Sequence, residues 1–349
     1  MVVVTRILVL GGSWFLGRTV AEQAVSDGME VTTFRRGQSG SDADGVTLIR
    51  GDRTDPADLA RLAKGGPYDA VIDTSSYVPR ETLAVARALE PAAARYVLIS
   101  SVSVYQGWPL EPLTEKSPIL QCPPDAGPDY GYDGDPGPST YGFGKAGCEG
   151  AVLQVFCADR SVILRPGVIL GPHEYVGRLQ WWLQRMQRGG RVLAPGNPQR
   201  PIQPVDVRDV AIFALHTAAE QPGIFNVTAG GHETMGDMLD ACNRAVSGTG
   251  QLEWVTDEQW LAGQGVAQWT GLPLWRTYRG AWAVDSERAR AAGFSNRRIG
   301  DTVADTWRWL KDGGASIVHE RAGELGISPD HEEAILRLWD AYQLDHCGI

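Results

Sequence analysis

Tyr141 and Lys145 lie four residues apart in Tyr141-Gly142-Phe143-Gly144-Lys145. On a helix, positions i and i+4 share a face, so the phenol and the ammonium become neighbours. A tyrosine of ordinary pKa ~10 exchanges protons poorly near neutrality. A lysine charge one turn away favours the phenolate and brings that proton into working range. Ser101, in Ser100-Ser101-Val102-Ser103-Val104-Tyr105, can hydrogen-bond the same substrate oxygen and steady charge developing on it. Such a trio suits proton transfer coupled to hydride movement at a carbonyl or hydroxyl carbon.

Hydride movement needs a carrier, and the chain opens on a place for one. Gly11-Gly12-Ser13-Trp14-Phe15-Leu16-Gly17 directly follows an apolar run at residues 7–10. A glycine-rich turn between strand and helix lets backbone approach a pyrophosphate, and the helix N-terminus offers N–H groups and partial positive charge. The end of the second strand bears on the choice of dinucleotide. An acid there holds the ribose 2′-hydroxyl of NAD, whereas arginine accommodates the 2′-phosphate of NADP. Arg35-Arg36 stand at that place with no acid, which favours NADP(H) and leaves NAD(H) as the alternative. Asp52, in Gly51-Asp52-Arg53, is a candidate for the adenine amino group.

To position these groups the chain needs strands ending at one edge. Short apolar runs at 7–10, 30–34, 46–50, 70–73, 96–99 and 161–164 alternate with helical patterns at 16–27, 80–89 and 141–155. Alternation of this kind predicts βαβ units and a doubly wound parallel sheet of Rossmann type. Ligands of such sheets bind outside the carboxyl ends of the strands, where Ser101 falls. Residues 111–140 are rich in Pro, Gly and Asp and predict a long flap beside the site.

Beyond Gly171 tryptophan becomes frequent and the pattern loosens, although 207–219 still reads as a core helix and 225–227 as a strand. The expected division is a dinucleotide domain at 1–170 and 205–230, a smaller interleaved substrate lobe at 171–204 and 231–312, and a helical tail at 313–349. Ser328-Pro329-Asp330 is a good helix start for that tail. Trp275 and His173 are candidate substrate contacts in the second lobe.

Composition narrows the classes. A net charge of −10 opposes binding to a phosphate backbone. Cys122, Cys148, Cys157, Cys242 and Cys347 make no CxxC pair and no metal spacing with the histidines, so no metal is expected and a reducing cytoplasm is. No stretch approaches the ~20 apolar residues that span a bilayer, nor does the start resemble a secretory signal.

Together these motifs resemble the short-chain dehydrogenase/reductase superfamily, in its extended, epimerase/dehydratase-like branch. The resemblance also covers Leu164-Arg165-Pro166-Gly167-Val168 and Pro204-Val205-Asp206-Val207-Arg208-Asp209-Val210, and runs over roughly residues 6–310. It implies that Tyr141 is the general acid/base, that Lys145 lowers its pKa and holds the nicotinamide ribose, and that Ser101 positions the substrate oxygen. It implies a cofactor surface of Gly11, Ser13, Trp14, Phe15, Leu16, Gly17, Arg35, Arg36, Asp52, Arg53, Thr74, Ser75, Pro166 and Val168. Ser103 and Tyr105 join the candidate substrate contacts. Relatives often pair through the Tyr/Lys helix, which implies a possible homodimer.

Two departures stand out. The family turn is GxxGxxG, and Trp14 replaces its middle glycine. Sugar-nucleotide dehydratases carry Asp-Glu after the serine, and Val102-Ser103 stand there instead, which argues against water elimination. The expected function is an NADPH-dependent ketoreductase or alcohol dehydrogenase acting on a small or medium organic substrate. The alternatives are a nucleotide-sugar epimerase with tightly bound NAD, and a non-catalytic cofactor sensor.

Overall fold

The computed structural model describes residues 5–38, 40–314 and 323–346. The expectations touching Met1–Val4, Cys347 and parts of the tail therefore lie outside the described residues. Two compact units form. The first holds residues up to Ile169, Gln203–Gly230 and Tyr278–Asn296; the second holds Leu170–Ile202, Gly231–Thr277 and the chain from Arg297 onward.

In the first unit seven strands make one sheet: β1 (Arg6–Leu10), β2 (Glu30–Arg35), β3 (Thr47–Arg50), β4 (Tyr68–Asp73), β5 (Ala93–Ile99), β6 (Ser161–Pro166) and β7 (Gly223–Val227). Their order is β7-β6-β5-β4-β1-β2-β3. The strand pairs run parallel, so crossovers must lie on the faces and the central strands are covered on both sides. This explains why Ile7-Leu8-Val9-Leu10 and Val162-Ile163-Leu164 are unbroken apolar runs rather than alternating ones. The order reverses between β1 and β4, and that switch point opens a crevice at their carboxyl ends.

Flanking this sheet are α1 (Phe15–Ser26), α2 (Pro56–Lys64), α3 (Pro79–Leu89), α4 (Thr140–Phe156) and α5 (Val207–Ala219), and the short helix Glu287–Ala291 packs on β7. The helix α2 fills a stretch that apolar periodicity leaves unassigned. Its start is nonetheless written locally, with Asp55 capping Ala57 N–H and Pro56 at the first position. Leu59 and Leu62 of α2, Val85 and Leu89 of α3, and Cys148, Val152 and Phe156 of α4 close one core with Leu8, Leu98 and Ile163 of the sheet.

The helix α4 has no apolar stripe because nearly all of it is covered. One side meets the sheet and α3. On the other lies the Pro-rich segment, which packs down instead of forming an open flap: Cys122 and Pro123 abut Gly147, Pro124 abuts Gly150, and Gly131 fits under the Phe143 ring.

In the second unit the strands Gly190–Pro195 and Gly250–Val255 pair in parallel. Helix Ile299–Lys311 packs on helices Arg178–Gln187 and Met235–Ala245. The tail helix Pro329–His346 belongs to this unit. Ser328 caps its start, and Glu332 is buried against Arg185 at 2.7 Å and the Leu193 N–H at 3.1 Å. Among the described residues no helix is long and apolar enough to cross a membrane.

Candidate active site

The glycine turn stands at the switch point. Gly11 adopts φ +90°, in the region that favours glycine, and donates to the Phe34 carbonyl at 3.1 Å. A Cβ on Gly17 would lie 2.2 Å from the Gly11 carbonyl oxygen, so only glycine lets α1 approach the exit of β1 this closely. Thr74 closes the other side, donating to the Leu10 carbonyl at 2.9 Å, and with Ser75 it lies against Gly11. Trp14 is the half-buried N-cap of α1 with extended backbone; its own side chain does not cap that helix and no acid sits in the first turn. Ser13, Phe15 and Leu16 are buried, so they present backbone rather than side chain. These features fit a pyrophosphate of a dinucleotide.

At the end of β2 the structure corrects the picture drawn from Arg35-Arg36. Arg35 is ion-paired to Asp42, donating through Nε at 2.7 Å and Nη2 at 2.5 Å, and its side chain is only 8% exposed. The hydrogen bond from Arg35 holds the Asp42 carboxyl below its usual range. A carboxylate therefore does stand beside this strand end, delivered by the following loop. Arg36 remains exposed. No local signal marks Asp42 as the missing acid, because only the fold brings it back to Arg35.

Arg53 is likewise consumed internally. It bonds Asp73 at 3.0 and 3.3 Å, the Ser75 carbonyl at 2.7 Å and the Ser75 hydroxyl at 2.9 Å. Asp73 also accepts from Ser76 and, at 2.6 Å, from the Tyr96 hydroxyl. Burial pushes the Asp73 carboxyl up, but Arg53 and the hydroxyls outweigh it and hold the group at about 2. Arg53 and Ser75 thus shape the loop after β4. Asp52 turns its carboxylate onto Thr54 N–H and hydroxyl, at 2.9 and 2.7 Å.

The reactive trio is assembled through α4. Ser139 caps this helix by accepting from Gly142 N–H at 3.1 Å. Gly142 sits so close to the Ser103 carbonyl that a Cβ would lie 2.3 Å from it, and Gly144 is as tightly set against the Tyr77 carbonyl. Lys145, buried, donates to the Ile99 carbonyl at 2.9 Å. The first turn of α4 is therefore docked onto residues 99–103, the segment carrying Ser101. Ser101 accepts from Ser103 N–H at 3.1 Å, and the two hydroxyls are 3.2 Å apart. The Lys145 ammonium stands 5.8 Å from the centre of the Tyr141 ring and 4.7 Å from that of Tyr77. Tyr141 is 46% exposed, in contrast to the lysine beneath it. The helix glycines explain a composition that helix propensity alone disfavours.

Other nominated residues are spent on the fold. Tyr105 is fully buried, donating to Asn226 at 2.6 Å and accepting from Arg165 at 2.9 Å, so it is no substrate contact. Arg165 in turn pairs with buried Glu149 at 2.6 Å, which accepts from Ser100. Trp275 is 2% exposed and donates to Glu258 at 2.7 Å, a core position of the second unit. His173, also of that unit, lies 4.7 Å from Trp309, ring to ring. Pro166 ends β6, and Val168 beyond it accepts from Val205 N–H at 2.8 Å.

Sheet order, glycine turn and Ser/Tyr/Lys set define a Rossmann-type enzyme of the short-chain dehydrogenase/reductase kind. Residues 7–228 match the NAD dependent epimerase/dehydratase family, and the chain belongs to it. A curated relative, chloroplast stem-loop binding protein of 41 kDa b from Arabidopsis thaliana, is 27% identical over 258 residues, 69% of this chain. The alignment spans 63% of that relative's length. Among solved structures, WbmG of Bordetella bronchiseptica, in complex with NAD and UDP, superposes with a TM-score of 0.67 at 17% identity, covering 91% of this chain and 98% of that one. UDP-glucose 4-epimerase of Thermotoga maritima with UDP-glucose gives 0.66 at 15% identity, covering 88% and 99%.

Proposed function

We propose that the protein is an NAD-dependent epimerase of a nucleotide-linked sugar. The observation carrying this reading over the NADPH reductase is the Asp42 carboxylate beside the end of β2, where the case for NADP(H) had rested on arginine without an acid. The fold shared with proteins described with NAD, UDP and UDP-glucose supports the sugar-nucleotide substrate.

The residues that would hold NAD are the turn 11–17, the β2 end and the loop at Thr74. When bound, NAD supplies an acceptor for hydride and can return it. Tyr141, as phenolate, takes the proton of a sugar hydroxyl while its carbon is oxidised, and later gives that proton back. Lys145 favours the anion from beneath the ring. Ser101 donates to the sugar oxygen and steadies the negative charge that develops on it during each transfer. Water elimination would need an acid and a base beside Ser101, whereas Val102 is buried and Ser103 is bonded to Ser101. Stem-loop binding, which the Arabidopsis relative's name describes, is not part of this reading, because a net charge of −10 repels a phosphate backbone.

The test is incubation with a panel of UDP-sugars, reading epimer formation by NMR and nicotinamide absorbance in parallel. Epimer should appear without net cofactor turnover. Oxidation of NADPH by ketones, with no UDP-sugar epimerised, would return the assignment to a reductase.

A further inference from the structure

We propose that Asp42 is the residue that selects NAD over NADP in this protein, acting by masking Arg35. This rests on the dinucleotide reading above but not on the reaction assigned to it.

Three observations place the pair where that choice is made. Gly11 of the phosphate turn is bonded to the carbonyl of Phe34, so Arg35 is the next residue beyond the contact between turn and β2. The adenosine ribose of a dinucleotide held on that turn lies at this strand end. Asp42 is tied to its surroundings through its own carboxylate and through both of its neighbours. Ala43 beside it is buried, Ser41 before it accepts from Arg18 of α1 through backbone and side chain, and its Oδ1 also accepts from Thr33 at 3.4 Å.

The consequence is electrostatic. A planar guanidinium engaged edge-on by both carboxylate oxygens has its charge compensated and its fork occupied. A 2′-phosphate arriving here meets a carboxylate that is ionised throughout the physiological range, since Arg35 and, more weakly, Arg50 hold its proton off. A 2′-hydroxyl meets the same carboxylate as a hydrogen-bond acceptor. Remove the Asp42 charge and the edge keeps the cations of Arg35, Arg36 and Arg50 without this carboxylate. In the ordinary arrangement the selecting acid ends the strand itself; here it arrives seven residues after Arg35.

The test measures dissociation constants of full-length protein, stripped of nucleotide, for NADH and NADPH, by calorimetry and without any sugar present. Wild type is expected to bind NADH about tenfold or more tightly than NADPH, and Asp42→Asn to move that ratio toward NADPH by about tenfold or more. Arg35→Met serves if Asp42→Asn folds poorly; it removes the masked cation and keeps the acid, so NADPH affinity should fall while NADH affinity holds. A ratio that stays within about twofold of wild type in a folded variant overturns the proposal, as does a wild type that prefers NADPH. Binding of neither nucleotide overturns both this selection and the dinucleotide reading. A preference for NADH with no epimerase activity spares the selection and removes only the reaction.

Discussion

Asp73 at the end of β4, bonded to Arg53 and to Tyr96 of β5, and Ser101 just beyond β5, set beside Tyr141 and Lys145 of α4, form two polar clusters along one sheet, yet they are finished in opposite ways. In the first cluster every carboxylate oxygen is claimed, the ion pair is buried, and the Ser75–Ser76 loop is tied into it. In the second, the ammonium is buried and pinned to a backbone carbonyl while the phenol it serves stands nearly half in solvent. A closed polar network contributes rigidity; an open one leaves groups able to meet a substrate. Both clusters contain residue types that read as functional in sequence, and only burial and bonding tell them apart.

The contrast is sharpest if the clusters are broken separately. Tyr141→Phe should lower kcat by roughly 10²–10⁴-fold, the range for losing a general acid/base. Because that side chain is exposed, the melting temperature should hardly move; activity within a few-fold of wild type would remove Tyr141 from its role. Arg53→Met should do the reverse. It strands Asp73 as a buried charge and should cost about 3–5 kcal/mol of unfolding free energy in denaturant titration. Unchanged stability would mean that the closed cluster is not structural.

Acid should reach the closed cluster alone. The Asp73 carboxyl is held at about 2, below the 3.8 of an ordinary aspartate, so its contribution of about 2 kcal/mol is present above pH 4 and lost as pH falls through 2. Asp73→Asn should flatten that part of the stability profile. The smallest effect expected is at the seam holding the open cluster together. In Gly142→Ala, better helix propensity offsets part of the 1–3 kcal/mol that overpacking against the Ser103 carbonyl costs, leaving about 1 kcal/mol of net loss. As the first turn lifts away from residues 99–103, kcat should fall more than KM changes. An unaltered rate constant would show that this close approach does not set the geometry.

What periodicity and motif reveal here is local. The buried strands announce themselves because parallel strands covered on both faces need continuous apolar runs, and Gly11 and Gly17 because a turn this tight admits no Cβ. Tyr141 and Lys145 are legible for the same reason, since four residues on a helix fix their relation. Where the structure departs from these expectations, the partner lies outside the local motif. Tyr105 seemed poised for substrate until Asn226, 121 residues away, came to meet it. Arg53 looked available until Asp73 and Ser75 claimed it. Arg35 looked like a phosphate ligand until Asp42 folded back.

The amino-acid order by itself determined that a glycine turn after the first strand, a parallel sheet and a Tyr/Lys pair on one helix face exist, because each follows from steric and periodic rules acting within about a turn of chain. Tertiary structure alone decided which charges are neutralised and which are left to act. Electrostatic fate depends on distance through space and on exclusion of water, and neither quantity is written in residue spacing.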